Sequence, residues 1–190
     1  MKKKASKGIS LSDRLRLFFT NYEKLHQAAV THPHEGIGRT AVDIIAGSKV
    51  LSEWDKSHYF GDTAIFAPHL SVAEEAWGRI ESGNAPEMSK LERAKFVASF
   101  SEHEPVAIDA LGFIEKSEIG EEEKVRDARY IGAHTTYLSV AKRTLNLILR
   151  SRLGNERKIP YIRELARLSK HKAVRSKAAK WLDEYKIIKA

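Results

Sequence analysis

His32 and His34 flank a proline in the stretch HPHE. A His-x-His pair offers two imidazole donors that could chelate zinc or nickel, given one further ligand. The chain has no cysteine, which excludes disulfides, thiolate zinc sites and Cys nucleophiles. The nearby His26 and Glu35 complete no known ligand spacing, so the competing reading of HPHE is an ordinary polar loop. Asp109, Glu115 and the run Glu121–Glu122–Glu123 are the carboxylates with catalytic potential. The run, however, stands where a helix start favours negative charge in any protein. GIGR at 36–39 contains too little of a phosphate-loop pattern to count. No catalytic residue and no cofactor is assigned.

The remaining chemistry is electrostatic. Residues 150–190 hold 13 basic against 4 acidic side chains, a net +9, whereas residues 71–130 hold 8 against 14, a net −6. Lys142, Arg143, Arg163, Arg167, Arg175, Lys177 and Lys180 are the candidates for tracking a phosphate backbone. Binding of that kind would depend strongly on salt. The competing reading is a solvated, solubilising face. Exposed aromatics are not interleaved with these cations, which argues against stacking on single strands. Trp77 and Trp181 stand beside an apolar stripe and read as core.

The elements that would position these groups are helices. The chain has 190 residues, 42% hydrophobic and 31% charged, which is the balance of a globular protein. No apolar run approaches the roughly 20 residues that span a bilayer. The opening MKKKASKGIS is basic, but the amphipathic stretch behind it is not the apolar core of a secretion signal, so the expectation is a cytoplasmic protein without a membrane partner.

Val72, Val106, Val140 and Val174 recur every 34 residues. Each opens a similar segment: VAEEAWGRI, VAIDALGFI, VAKRTLNLI and VRSKAAKWL. Four and eight positions on come Ala76, Ala110, Thr144, Ala178 and then Ile80, Ile114, Ile148, Leu182, which is one face of a helix. Preceding helices align at the same offset through Leu91/Val125/Ile159, Ala94/Ala128/Ile162, Val97/Ile131/Leu165 and Ala98/Gly132/Ala166. The unit is helix A, a short turn and helix B, with the expected hairpins at 89–116, 121–152 and 158–186. Ser71 with Glu74 and Ser89 with Glu92 read as capping boxes. Pro105 and Pro160 suit a first helical position. The small residues 12 apart across each turn let the two helices approach closely.

Residues 1–66 fit this period poorly. The expected organisation is a basic flexible tail (1–10), a helical cap (11–66) and a repeat region (67–190), all one compact domain with the tail excepted. The cap holds an amphipathic helix from Leu11 to Ala29 capped by Ser12, a second over 39–55, and a loop or irregular helix at 57–69. A solenoid needs such an atypical end to close its core.

The last unit, IPYIRELARLSKHKAVRSKAAKWL, resembles a HEAT repeat, with Pro160 near the start of helix A and Val174–Arg175 opening helix B. SEHEPVAIDALGFI is similar, although Ala107 stands where the arginine would be. The resemblance covers about residues 71–186. Tetratricopeptide repeats share the 34-residue period, but Ala94, Ala128 and Ile162 stand where their helix A carries a large aromatic. Either resemblance implies an all-α, right-handed α-solenoid of helical hairpins that binds partners on a concave surface, and neither implies chemistry.

The expected function is therefore a non-enzymatic binding module or adaptor acting on a protein partner, or on a second copy of itself through Phe18, Phe19, Tyr22 and Trp54. Nucleic-acid binding by the basic C-terminal hairpins is the alternative. One HEAT-like family consists of DNA glycosylases. Their catalytic constellation finds no residue-by-residue match here, which leaves that reading third.

Overall fold

The computed structural model describes residues 22–189, with side chains through residue 185. The expected helix start at Leu11–Phe19 lies outside the described residues. Among those described, all regular structure is helical. The helices are α1 (Tyr22–Thr31), α2 (Glu35–Ala46), α3 (Glu53–Phe66), α4 (Leu70–Ser82), α5 (Glu87–Phe100), α6 (Glu104–Lys116), α7 (Glu121–His134), α8 (Leu138–Arg150), α9 (Asn155–Leu168) and α10 (Lys172–Lys189). Consecutive helices pair as antiparallel hairpins, and the chain divides between Gly83 and Asn84 into two compact units. The first unit stacks hairpins α1/α2 and α3/α4, and the second stacks α5/α6, α7/α8 and α9/α10. Within each unit, A helices pack on A helices and B helices on B helices, as in an α-solenoid.

The 34-residue columns form the core. Val72, Val106, Val140 and Val174 are at most 1% exposed, and Ala76, Ala110, Thr144 and Ala178 are fully buried. Leu91, Val125, Ala94, Ala128, Ile162, Val97, Ile131 and Leu165 fill the A side. At the last hairpin the columns loosen, with Ile159, Ala166 and Leu182 only partly buried. The close approach of A to B is tightest at Gly132, where a Cβ would overlap Thr144 Oγ1 and come within 3.0 Å of Leu165 Cδ2.

The N-terminal segment departs from expectation. Residues 57–69, expected as a loop or short irregular helix, are most of the regular helix α3 and the turn after it, and residues 39–55 hold the end of α2, a linker and the start of α3. The expected boundary between 66 and 67 coincides with the end of α3, within the α3/α4 hairpin. Two physical causes hid these repeats. In α3 the buried columns are occupied by Ser57 and Thr63 beside Phe60 and Ala64, so half the stripe is polar by type. In α2 the columns are Ile37, Ala41 and Ile45, set 35 rather than 34 residues before Val72, Ala76 and Ile80, and the slip breaks a fixed-period alignment.

The local start signals also resolve differently. Ser71 and Ser89 lie within helices that begin at Leu70 and Glu87, so neither is an N-cap. The capping box present is Ser52–Asp55, with Ser52 Oγ accepting the Asp55 N–H at 3.1 Å and Asp55 Oδ2 accepting the Ser52 N–H at 3.1 Å. Helix α9 begins at Asn155, three residues before the expected start, and places Pro160 inside it, whereas Pro105 lies in the first turn of α6 as expected. Helix α10 runs on to Lys189, past the expected end of the last hairpin at 186.

Candidate binding surfaces

Five hairpin turns of three residues each punctuate the chain: His32-Pro33-His34, Ala67-Pro68-His69, Ser101-Glu102-His103, Thr135-Thr136-Tyr137 and Ser169-Lys170-His171. In four of them the first side chain accepts the backbone N–H of the third. The acceptors are His32 Nδ1 (3.1 Å), Ser101 Oγ (3.2 Å), Thr135 Oγ1 (3.3 Å) and, more weakly, Ser169 Oγ (3.5 Å). Where the third ring's partner is resolved, it reaches back to the preceding turn: His69 Nε2 lies 3.0 Å from the Pro33 carbonyl and His171 Nε2 lies 3.2 Å from that of Thr135. The candidate metal pair His32/His34 is thus the first copy of a turn motif, with one ring nitrogen already committed. Among the described residues no cluster of three or more His, Asp or Glu side chains is placed to hold a metal ion.

Two ladders of polar contacts join successive hairpins. On the B helices of the first unit, Ser71 donates to Glu35 (2.6 Å), Arg39 to Glu75 (3.1 Å) and Arg79 to Asp43 (2.8 Å), each rung joining residues 36 apart. On the A helices of the second unit, Arg157 pairs with Glu122, and Arg129 with Glu164 at 2.5 Å. Exposed pairs of this kind contribute little singly and serve mainly to set register. A less exposed device accompanies them, buried at Lys158 and half-buried at Lys124. Lys124 Nζ donates to the Glu115 carbonyl (2.9 Å) and Lys158 Nζ to that of Leu149 (3.0 Å). Each ammonium caps the C-terminal end of the preceding B helix, where the carbonyls lack intrahelical partners. The signal for it was present in the sequence, since Lys124 and Lys158 are spaced by 34; Lys56, at the same spacing in the first unit, instead donates to Glu53 (2.8 Å).

The seven candidate cations lie on three helices of the second unit: Lys142 and Arg143 on α8, Arg163 and Arg167 on α9, and Arg175, Lys177 and Lys180 on α10. Four are engaged within the protein. Arg143 clamps Glu115 through Nε (2.9 Å) and Nη2 (2.5 Å), and Arg175 Nη1 donates to the Ser169 carbonyl (2.7 Å). Lys177 donates to Asn146 Oδ1 (2.9 Å), and Lys180 pairs with Glu184 (3.7 Å). Lys142, Arg163 and Arg167 are exposed and make no side-chain hydrogen bond or ion pair among the described residues. The Arg143–Glu115 clamp crosses Gly112 and lies in an open groove of about 440 Å³ that also takes in Lys124, Asn146 and Arg150. Cations and carboxylates are mixed in that groove, which gives it no single preference of charge.

The outward face of the A helices carries a surface that sequence reasoning missed. Phe96 and Phe100 of α5 meet Tyr130 and His134 of α7 in one ring cluster. Its contacts are edge-to-face for Phe96–Tyr130 (6.1 Å) and Phe100–Tyr130 (6.3 Å), with His134 at 4.3 Å from Tyr130 and 5.8 Å from Phe100. Phe100 remains 39% exposed, and Leu168, at the equivalent position of α9, 44%. Lys95 Nζ sits 5.5 Å and 5.9 Å from the Phe96 and Tyr130 rings and 3.9 Å from Asp127. Burial pushes the Asp127 carboxyl above the usual carboxylate range, with Lys95 pulling the other way. Lys95, Arg129 and Arg163 fall at one register position of α5, α7 and α9. The signal was again the period, since Phe96/Tyr130 and Phe100/His134 are each 34 apart on the face opposite the core.

Among the described residues no helix is long and apolar enough to cross a membrane. No protein-family model, curated protein or solved structure matches the chain.

Proposed function

We propose that this chain is a non-enzymatic helical-repeat binding module, HEAT-like in its units, that engages a protein partner through the outward A-helix face of its second unit. The observation that carries the reading is the ring cluster Phe96–Phe100–Tyr130–His134 with exposed Leu168 at the next register position. Large apolar side chains that stay half-exposed while the same helices bury alanines and valines completely are the anchors that interfaces use. The HEAT-like reading is supported by Val174–Arg175, where the valine is core and the arginine ties the start of helix B to the carbonyl ending helix A. A photo-crosslinking residue placed at Phe100 should trap a partner in the protein's native cells, and one placed at exposed Asp109 on the B side should not. Adducts from Asp109 with none from Phe100 would reject the A-face reading.

The second reading is nucleic-acid binding, favoured by unpaired Arg163 and Arg167 within residues 150–190 of net +9 and by unpaired Lys142 just before them. It is the weaker of the two, because the other four candidate cations already have partners inside the protein, three by hydrogen bonds and Lys180 by an exposed ion pair.

A further inference from the structure

We infer that the partner segment bound by this face is a peptide that combines acidic with large apolar side chains. The inference rests on the binding-module reading above and adds the chemistry of the ligand. Two of the acidic groups beside the ring cluster are engaged: Asp127 with Lys95 (3.9 Å) and Glu164 with Arg129 (2.5 Å). The cations are in excess. Arg163 and Arg167, one turn apart on the exposed side of α9, make no ion pair among the described residues, and Arg167 is followed directly by exposed Leu168. Glu87 and Glu92 are the acids of α5 that make no ion pair among the described residues, both on the N-terminal side of Phe96 and away from α9's exposed guanidiniums in sequence. The face thus presents apolar rings on α5 and α7, and unpaired positive charge beside an apolar side chain on α9. A ligand that buried the rings while leaving Arg163 and Arg167 unmatched would lose the electrostatic part of its recognition.

A peptide fits better than a single-stranded nucleic acid. The rings already close on one another at 4.3–6.4 Å between centroids, so a base could enter only by prising two of them apart. An aliphatic or aromatic side chain can lie over the cluster as it stands, with carboxylates reaching the α9 guanidiniums in the paired geometry arginine favours.

The test selects binders for the full chain from a phage-displayed library of random 16-residue peptides. A 16-nucleotide oligouridylate serves as competitor. The enriched pool should be rich in Asp and Glu interspersed with Leu, Phe or Trp. Its binding should fall roughly tenfold or more in Phe100→Ala and again in the exposed pair Arg163→Glu/Arg167→Glu, whose unchanged circular dichroism would show that the fold persists. A pool without acidic bias that loses binding in Phe100→Ala but not in the arginine pair would overturn the inference and leave the binding-module reading standing. A pool indifferent to both variants, or no enrichment, would overturn both. Displacement of the pool by oligouridylate would assign the face to nucleic acid instead.

Discussion

His32 accepts the backbone N–H of His34 on its Nδ1 at 3.1 Å, the same bond that Ser101 makes to His103 and Thr135 to Tyr137. The histidine is therefore an acceptor in a turn, interchangeable with a hydroxyl. His32→Ser should leave stability within a few tenths of a kcal/mol, whereas His32→Val should cost about 1 kcal/mol in urea denaturation. Equimolar zinc or nickel should leave the Tm of the wild type in place. A metal-induced rise abolished by His32→Ser would restore the chelating role.

Gly132 has no room for a side chain. Gly132→Ala should destabilise by about 2 kcal/mol, because the new methyl overlaps Thr144 Oγ1 and crowds Leu165. In the double variant with Thr144→Ala the obstructing oxygen is gone, and a favourable coupling of about 1 kcal/mol should appear in the double-mutant cycle. Strict additivity would mean that the two helices adjust without that contact.

Lys158 is 6% exposed, and its ammonium meets the Leu149 carbonyl. Lys158→Met retains the stem but leaves the end of α8 without its cap, and should lose about 1.5–3 kcal/mol. Exposed Lys170, in a turn, should change stability only slightly on replacement by alanine. Equal effects at the two sites would show that Lys158 contributes through its aliphatic stem alone.

Two partly desolvated titrating groups predict pH dependences of opposite sign. Burial lowers His26, against the pull of Asp62 and Glu23, so the unfolded chain binds more protons in the window just below about 6.5. Stability is therefore lost as pH falls from about 6.5 through the folded value, and His26→Gln should flatten that segment. Burial raises Asp127, so the folded chain holds the proton longer, and stability is lost as pH rises from about 3.9 through the folded value. Asp127→Asn should remove that second slope. Urea titrations at half-unit pH steps read both. Unchanged profiles in the variants would mean that neither group is desolvated in solution.

If the basic end binds nucleic acid, Lys142, Arg163 and Arg167 are the side chains free to do so. Their joint replacement by Ala should weaken retention of generic duplex and reduce the salt slope by about 0.9 per lost phosphate contact, and their joint reversal to Glu should abolish retention. No retention by the wild type at about 50 mM salt, where screening is weak, would eliminate the reading.

The core of residues 71–182 could be read from the sequence because valine, alanine and isoleucine stand in register where burial demands them. The first two hairpins could not, since Ser57 and Thr63 are polar by type yet 2% and 0% exposed, and the 35-residue step before Val72 defeats a fixed period. The surface was harder still. A sequence shows which residues are charged but not whether each charge is spent: Arg143 and Arg163 are alike in composition, and Glu115 clamps the first while the second is unpaired. His32 and His34 invited a chemical reading because the eye paired them with each other. The comparison that mattered was with Ser101 and His103, 69 residues further along in both cases.

The repeated lysine cap makes chain length an adjustable property. Joining Glu123 directly to Lys158 would excise 34 residues, and Lys158 would then face the Glu115 carbonyl that Lys124 caps now. The splice needs no new kind of contact, so whole modules could be lost or duplicated by in-frame recombination while the two ends kept their neighbours. Such an event would step the ring columns and the cation column along together. A lineage of these proteins could lengthen or shorten its binding face by a fixed increment without redesigning the interior.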